Sequence, residues 1–305
     1  MRIAFLAFAV LAVAATGSLA RAADPELKIG LVGGLFRDRK PAVVRVVAKP
    51  LCALLAEHVG VDGEVEVVDG PAALADRLKD GKVQLGVFHG FEFAWAQQRC
   101  DDLIPLVIAR PNGGVRAVLV VPADSRAKTT ADLRDAAVRI PRGAKAHTLV
   151  FLDKLRDGLP DSTATPTPKT DQTPEEVLNA VAGGDSPAAL VDAFALEGYK
   201  TLHPGGFDSL RVLARSEEFP PAVVCYRKGT LTDEQVGKIR DGMTASAKTP
   251  SGKLLMTLWN LKGFEAPPKG YQTSLDEILK AYPPPKADGT KTSGGGSGAK
   301  GSGGK

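Results

Sequence analysis

The chain holds four histidines, His58, His89, His147 and His203, and three cysteines, Cys52, Cys100 and Cys225. Covalent catalysis needs a nucleophile held beside a base, and hydrolases and phosphate-transfer enzymes advertise that need with Gly-x-Ser-x-Gly or a phosphate loop. Neither string occurs, no Cys-x-x-Cys or His/Cys cluster has zinc spacing, and no motif surrounds the one conceivable pair, Cys100 with His89. The reading is a protein without catalytic residues, metal or cofactor. What the sequence does supply is groups suited to holding an anion. Pro141-Arg142-Gly143-Ala144-Lys145-Ala146-His147-Thr148 sets two cations, a glycine and a hydroxyl at a helix start. A helix N-terminus disfavours cations, so Arg142 and Lys145 make sense there when a negative ligand arrives. Gly33-Gly34-Leu35-Phe36-Arg37 permits close backbone approach with Arg37 facing an anion, and His89-Gly90-Phe91-Glu92-Phe93 brings a histidine and aromatics directly after an apolar strand. Gln172, next to Asp171, and Asp192 complete a ring. Asp192 either accepts a hydrogen bond from a protonated oxyanion, binds an amine, or caps the next helix. Against these readings stand a plain turn at Gly33-Gly34, solvated loop cations, and packing roles for Phe91 and Phe93.

The elements that position these residues alternate. An apolar strand, Leu27 to Val32, precedes a helix from Pro41 to Val59; a strand from Glu64 to Val68 precedes a helix from Pro71 to Lys79, and the strand Leu85 to Phe88 follows. This βαβαβ order predicts a parallel sheet covered by helices. A helix from Phe91 to Gln98 and a strand from Leu103 to Ala109 lead into Arg110-Pro111-Asn112-Gly113-Gly114, a turn that reads as a crossing between domains. The second unit contains strands Val115 to Val121, Ala137 to Ile140, Ala188 to Val191 and Leu210 to Ala214. Its helices are Thr130 to Arg134, Ala146 to Arg156 and Thr173 to Ala182, the last opened by a cap residue, a first-turn proline and two acids. Ser162 to Pro168 is a loop or an edge strand, with the strand preferred. Glu217-Glu218-Phe219-Pro220-Pro221 is a second crossing, followed by the strand Ala222 to Tyr226 and helices at Thr232 to Lys248 and Ser251 to Leu261. Each candidate site residue thus falls where a strand ends and a helix begins, the place where ligands collect in open sheets.

Composition supports a globular body: apolar residues make up 44% and charged residues 24%, ordinary soluble usage. The formal charge of +4 gives no case for nucleic acid. Arg2, the apolar run from Ile3 to Ala15 and Ala20-Arg21-Ala22 have the layout of a secretory leader, too short for a spanning helix, so no stable membrane insertion is expected. Export would place the three cysteines in an oxidising compartment, with Cys52 and Cys100 the preferred pair and three buried thiols the equal alternative. From Pro283 onward proline, glycine, serine and lysine predominate, a tail that cannot fold alone. The expected organisation is a leader at 1–22, a first lobe from 23–111 and 217–283, a second lobe at 112–216, and a tail at 284–305.

Several local strings, in this order, resemble one family. They are Gly33-Gly34, Leu78-Lys79-Asp80-Gly81-Lys82-Val83-Gln84-Leu85-Gly86, Thr130-Ala131-Asp132-Leu133-Arg134, and Ala182-Gly183-Gly184-Asp185 continuing to Val191-Asp192-Ala193. From Leu27 to Tyr282 the chain is similar to the phosphonate, phosphate and phosphite type of periplasmic binding protein that serves ATP-binding-cassette transporters. The resemblance implies an α/β, two-lobed, type II periplasmic-binding fold, each lobe a mixed, mostly parallel sheet flanked by helices, with the ligand cleft between lobes. It implies capture of a small oxyanion by hinge closure in a monomer, delivery to a transporter permease, helix-start amides and hydroxyls around the ligand, an aromatic near Phe91 or Phe93, and an acid at Asp192. One departure stands out. Where the family carries a serine- and threonine-rich loop, this chain has Gly143-Ala144-Lys145-Ala146-His147-Thr148, with one hydroxyl, so either Arg142, Lys145 and His147 replace the missing hydroxyls or the ligand differs. A sensing or interaction module uncoupled from transport, or a solute without phosphorus, are the alternatives.

Overall fold

The computed structural model describes residues 26–36, 40–60, 62–134, 136–157 and 171–285. The expected leader, Arg37, the Ser162–Pro168 stretch and most of the tail lie outside them. The first sheet starts from β1 (Leu27–Val32), which pairs in parallel with β2 (Gly63–Val68) on one side and β3 (Leu85–Phe88) on the other. Parallel neighbours need long crossovers, supplied by α1 (Pro41–Val59) and α2 (Pro71–Lys79). Proline opens both helices, where its missing N–H costs nothing. Leu74 of α2 sits directly on β1 because residue 30 is glycine: a Cβ there would stand 2.2 Å from Leu74 Cδ1. After β3 come α3 (Gly90–Arg99) and β4 (Leu103–Pro111).

The chain then leaves for a second sheet. This holds β5 (Ala117–Pro122), β6 (Val138–Arg139), β7 (Ala188–Asp192) and β8 (Leu210–Arg215), in the order β6-β7-β5-β8, with α4 (Ala146–Asp157), α5 (Pro174–Ala182), α6 (Ala193–Leu202) and α7 (Pro204–Asp208) between them. Thr173 and Glu176 cap α5 reciprocally: Thr173 Oγ1 accepts from the Glu176 amide at 3.3 Å, and Glu176 Oε2 accepts from the Thr173 amide at 2.6 Å. The chain returns as β9 (Val223–Arg227), then α8 (Asp233–Ala245), α9 (Pro250–Trp259), β10 (Leu261–Glu265) and α10 (Tyr271–Ala281). The first sheet reads β10-β4-β9-β3-β1-β2.

The expectation of mostly parallel sheets needs correction. Only β1–β2, β1–β3 and β6–β7 are parallel among the described strands; β9 runs antiparallel to both β3 and β4, β10 to β4, and β5 to both β7 and β8. The cause is the double crossing. The strand that carries the chain out of a sheet lies beside the strand that brings it back, and two such neighbours must point opposite ways. Sequence periodicity also ran the helix at Ser251 through Leu261, whereas α9 stops at Trp259. Asn260 turns the chain in the left-handed conformation, φ 54°, and β10 begins.

Apolar side chains fill three clusters. Leu51, Leu54 and Leu55 of α1, with Leu255 of α9 and Ile239 of α8, cover one face of the first sheet. On the opposite face lie Leu74 and Leu78 of α2, Phe91 and Phe93 of α3, and Leu275 of α10, and this cluster runs on through Phe219 to Phe151 and Leu190 beside the second sheet. Val177, Val181 and Leu196 fill the third. Cys52, Cys100 and Cys225 are free thiols, so the preferred Cys52–Cys100 pair does not form. Burial, joined by the Asp102 carboxylate that accepts from its sulfur at 3.0 Å, pushes the Cys100 thiol up to about 11. Burial raises Cys225 further still. Neither is a ready nucleophile, since the thiolate is the reactive form. Among the described residues no helix is long and apolar enough to cross a membrane.

Candidate functional site

A cavity of about 350 Å³ lies between the two sheets, at the carboxyl ends of β1, β3 and β7. From the first sheet comes His89, the residue between β3 and α3. Its Nε2 lies 3.0 Å from the Gly34 carbonyl oxygen, which can only accept, so Nε2 carries a proton. The His89 backbone amide donates to Glu92 Oε2 at 3.3 Å, and its ring stacks on Phe91 at 5.6 Å. Gly34 lies close to the head of α4: a Cβ there would stand 3.2 Å from Ala146 Cβ, and 3.3 Å from Glu92 Oε1 of α3. Across the gap the His147 ring meets His89 edge-on at 6.2 Å.

The second unit contributes two opposite charges. Lys145, in the turn leading into α4, lines the cavity with its Nζ 6.0 Å from the Phe194 ring and makes no ion pair among the described residues. Asp192 closes β7, is 7% exposed, and uses Oδ1 to accept from the Ala195 amide at 3.0 Å, capping α6 while facing the cavity. Arg116, in the first connector, lines the same space. Its Nη2 donates to Glu218 Oε2 at 2.8 Å and its Nη1 to the Ser216 carbonyl at 3.4 Å, joining the outgoing connector to the returning one. Among the described residues no cluster of three metal-ligating side chains occurs.

Residues 34–269 match the model of the periplasmic substrate-binding proteins of phosphonate ABC transporters. The chain belongs to that family. It is therefore a substrate-binding component of an ABC transporter system, and the family is not an enzyme family. Solved structures of low identity share its fold. The XAC2383 protein of Xanthomonas citri, solved bound to ATP, is 17% identical with a TM-score of 0.63, covering 85% of this chain and 97% of its own. A binding component of an ABC phosphonate transporter from Pseudomonas aeruginosa (PA3383) is 16% identical at TM-score 0.58, covering 84% and 85%. PhnD1 of Prochlorococcus marinus, solved with methylphosphonate, is 14% identical at 0.58, covering 83% and 97%. No curated protein sequence matches the chain.

In this phosphonate-type binding protein the sequence-derived positions divide. Phe36, His89, Lys145, His147 and Asp192 line the cavity, and Gly34 touches its rim through His89. Gly90 backs onto the Pro220 carbonyl, and Phe91 is buried against Trp95 at 5.0 Å and Phe219 at 5.4 Å, so both stand in the packing beneath the cavity floor. Arg142 is exposed, its amide bonded to the Gln172 carbonyl at 2.8 Å, while Gln172 Oε1 accepts from Arg139 at 2.7 Å; neither lines the cavity. Thr148 is 1% exposed and its hydroxyl has no hydrogen-bond partner among the described residues, but it too lies behind the lining. Sequence reasoning missed Arg116, Phe194, Trp259 and Asn260. A cation two residues past Gly113-Gly114 was a usable signal for Arg116; nothing local marked the others.

A polar clasp joins the binding protein's two units beside the cavity. Glu217, in the returning connector, is bonded to Lys154 of α4 and to the Tyr282 hydroxyl, while Lys154 Nζ lies 4.6 Å over the Tyr282 ring. Trp95 of α3 donates to the Tyr282 carbonyl at 2.8 Å. Burial by itself would raise the Glu217 carboxyl, but Lys154 and Tyr282 outweigh it and hold the group below the usual carboxylate range. A depressed folded-state value contributes stability above the unfolded value, about 4.3 for glutamate, and loses it as pH falls through the folded value. E217Q is therefore expected to melt below the wild type at pH 7. Melting curves taken at decreasing pH should show the two converging below about pH 4; a constant gap down to acid pH would remove the clasp.

Proposed function

We propose that the protein captures a small oxyanion, phosphonates first, in the cavity between its sheets and hands it to the permease of an ABC transporter. Lys145 carries this reading: a cation on a cavity wall, at the start of a helix, with no ion pair among the described residues. Its position is unfavourable against the helix dipole until an anion joins it, and that anion also meets the positive end of the α4 dipole. His89 and His147 bound the same polar end. Membership of the phosphonate-binding family supports the anion as a phosphorus oxyanion. One moving body is 23–111 with 217–283, the other 112–216, and they close about the connectors because contacts from both sides coexist only when the cleft is shut. Residues 1–22 act as the export leader, and the protein works as a monomer in the periplasm.

Calorimetric titration with methylphosphonate, phosphite, phosphate and sulfate tests the reading. One saturable site for a phosphorus oxyanion is expected, with about 2.7 kcal/mol of added stability at a hundredfold excess over Kd. No heat and no rise in melting temperature with any of the anions would dismiss it.

A further inference from the structure

We infer that the ligand carries an apolar substituent, aryl or branched alkyl, next to its anionic head. This rests on the anion reading above and narrows it. The cavity of about 350 Å³ is large for a bare oxyanion: at roughly 30 Å³ for one water, it has room for on the order of ten heavy atoms, and methylphosphonate has five. Its volume falls in the range of sites that enclose organic ligands, about 300–1,000 Å³.

The lining is also divided by chemistry. Lys145, His89 and His147 stand toward α3 and α4. The opposite end is built by Phe36, Leu258, Trp259, Leu261 and Phe264, where α9 turns into β10 over α1. Phe36 and Trp259 meet edge to face at 5.6 Å, forming a continuous aromatic wall. The Trp259 N–H and the Asn260 side-chain oxygen of that wall are committed elsewhere. Trp259 Nε1 donates to the Val47 carbonyl at 2.9 Å, and Asn260 Oδ1 accepts from Asn112 Nδ2 at 2.8 Å. The wall therefore offers a ligand ring faces and methyl groups. A small hydrated anion would leave it wet, whereas an apolar substituent displaces that water, and burying a group of phenyl size is worth about 10- to 100-fold in affinity.

The experiment is a calorimetric comparison of methylphosphonate with phenylphosphonate on the intact protein. Phenylphosphonate is expected to bind about 10- to 100-fold tighter. L258A should shrink that ratio by roughly three- to tenfold, and Leu258, 47% exposed, can be truncated without opening the core; W259A should shrink it more. Equal or tighter binding of methylphosphonate by the wild type, or an unchanged ratio in L258A, overturns the inference while leaving the anion reading in place. Failure of both phosphonates to bind removes the anion reading, and this inference with it.

Discussion

K145A is expected to weaken binding of the anionic ligand by about 10- to 100-fold, while R142A stays within about twofold. A hydrogen bond to a charged group contributes about 1.5–3 kcal/mol, and each 1.4 kcal/mol is about tenfold in Kd. Lys145 is the side chain placed to make one: it lines the cavity, with its ammonium 6.0 Å from the Phe194 ring. Arg142, three residues earlier on the same cation-bearing string, points to solvent, where it adds a small share to the Thr173 amide in depressing the Glu176 carboxyl. Calorimetry on both variants separates them, with melting temperatures without ligand confirming that the fold is intact. Equal losses would mean the ligand bridges from the cavity to the outer turn; no loss in K145A would take α4 out of the site.

F219A should be the most damaging of the single substitutions, costing about 3–5 kcal/mol of stability, the range for deleting a buried phenyl ring. Phe219 is 1% exposed and packs on Phe91 at 5.4 Å, His147 at 5.6 Å and Tyr282 at 4.7 Å, so it joins α3, α4 and the end of α10 from within the returning connector. Its amide also donates to the Val115 carbonyl at 2.9 Å, tying the two connectors together. A protein of this size loses roughly 2–4 °C of melting temperature per kcal/mol, so calorimetric scanning should record a drop on the order of 10 °C. A loss below about 1 kcal/mol would show that the aromatic column does not hold the crossings.

The elements legible in the sequence are those whose periodicity is local. The α1 and α2 boundaries, Pro41–Val59 and Pro71–Lys79, follow from a proline at the first turn and from apolar residues recurring at helical spacing; the strands β1, β3 and β7 are short apolar runs ended by turns. His89, Lys145, His147 and Asp192 were findable because each occupies the step from a strand or turn into a helix. The aromatic wall was not. Leu261–Glu265 contains a lysine and a glycine and carries no strand pattern, and it becomes β10 because β4 offers an unpaired edge to the segment that follows Asn260. Trp259 reaches the cavity through packing of α9 on α1, elements far apart in the chain. The place of β9 between β3 and β4 was equally invisible, since strand order depends on which edge remains open when the chain returns. α10 was missed although Tyr271, Leu275 and Ile278 recur at helical spacing on its buried side.

That central place of β9 governs the order in which the molecule can be made. Everything from β5 to β8 is one uninterrupted stretch of chain, complete once Arg215 has left the ribosome. The other half, although synthesised first, lacks its interior strand until Arg227 has emerged, and before then β3 and β4 have apolar flanks with unsatisfied backbone edges, the kind of surface on which nascent chains stick to one another. The later-made half is thus ready first, and the earlier-made half must be kept from aggregating until the C-terminal segment arrives.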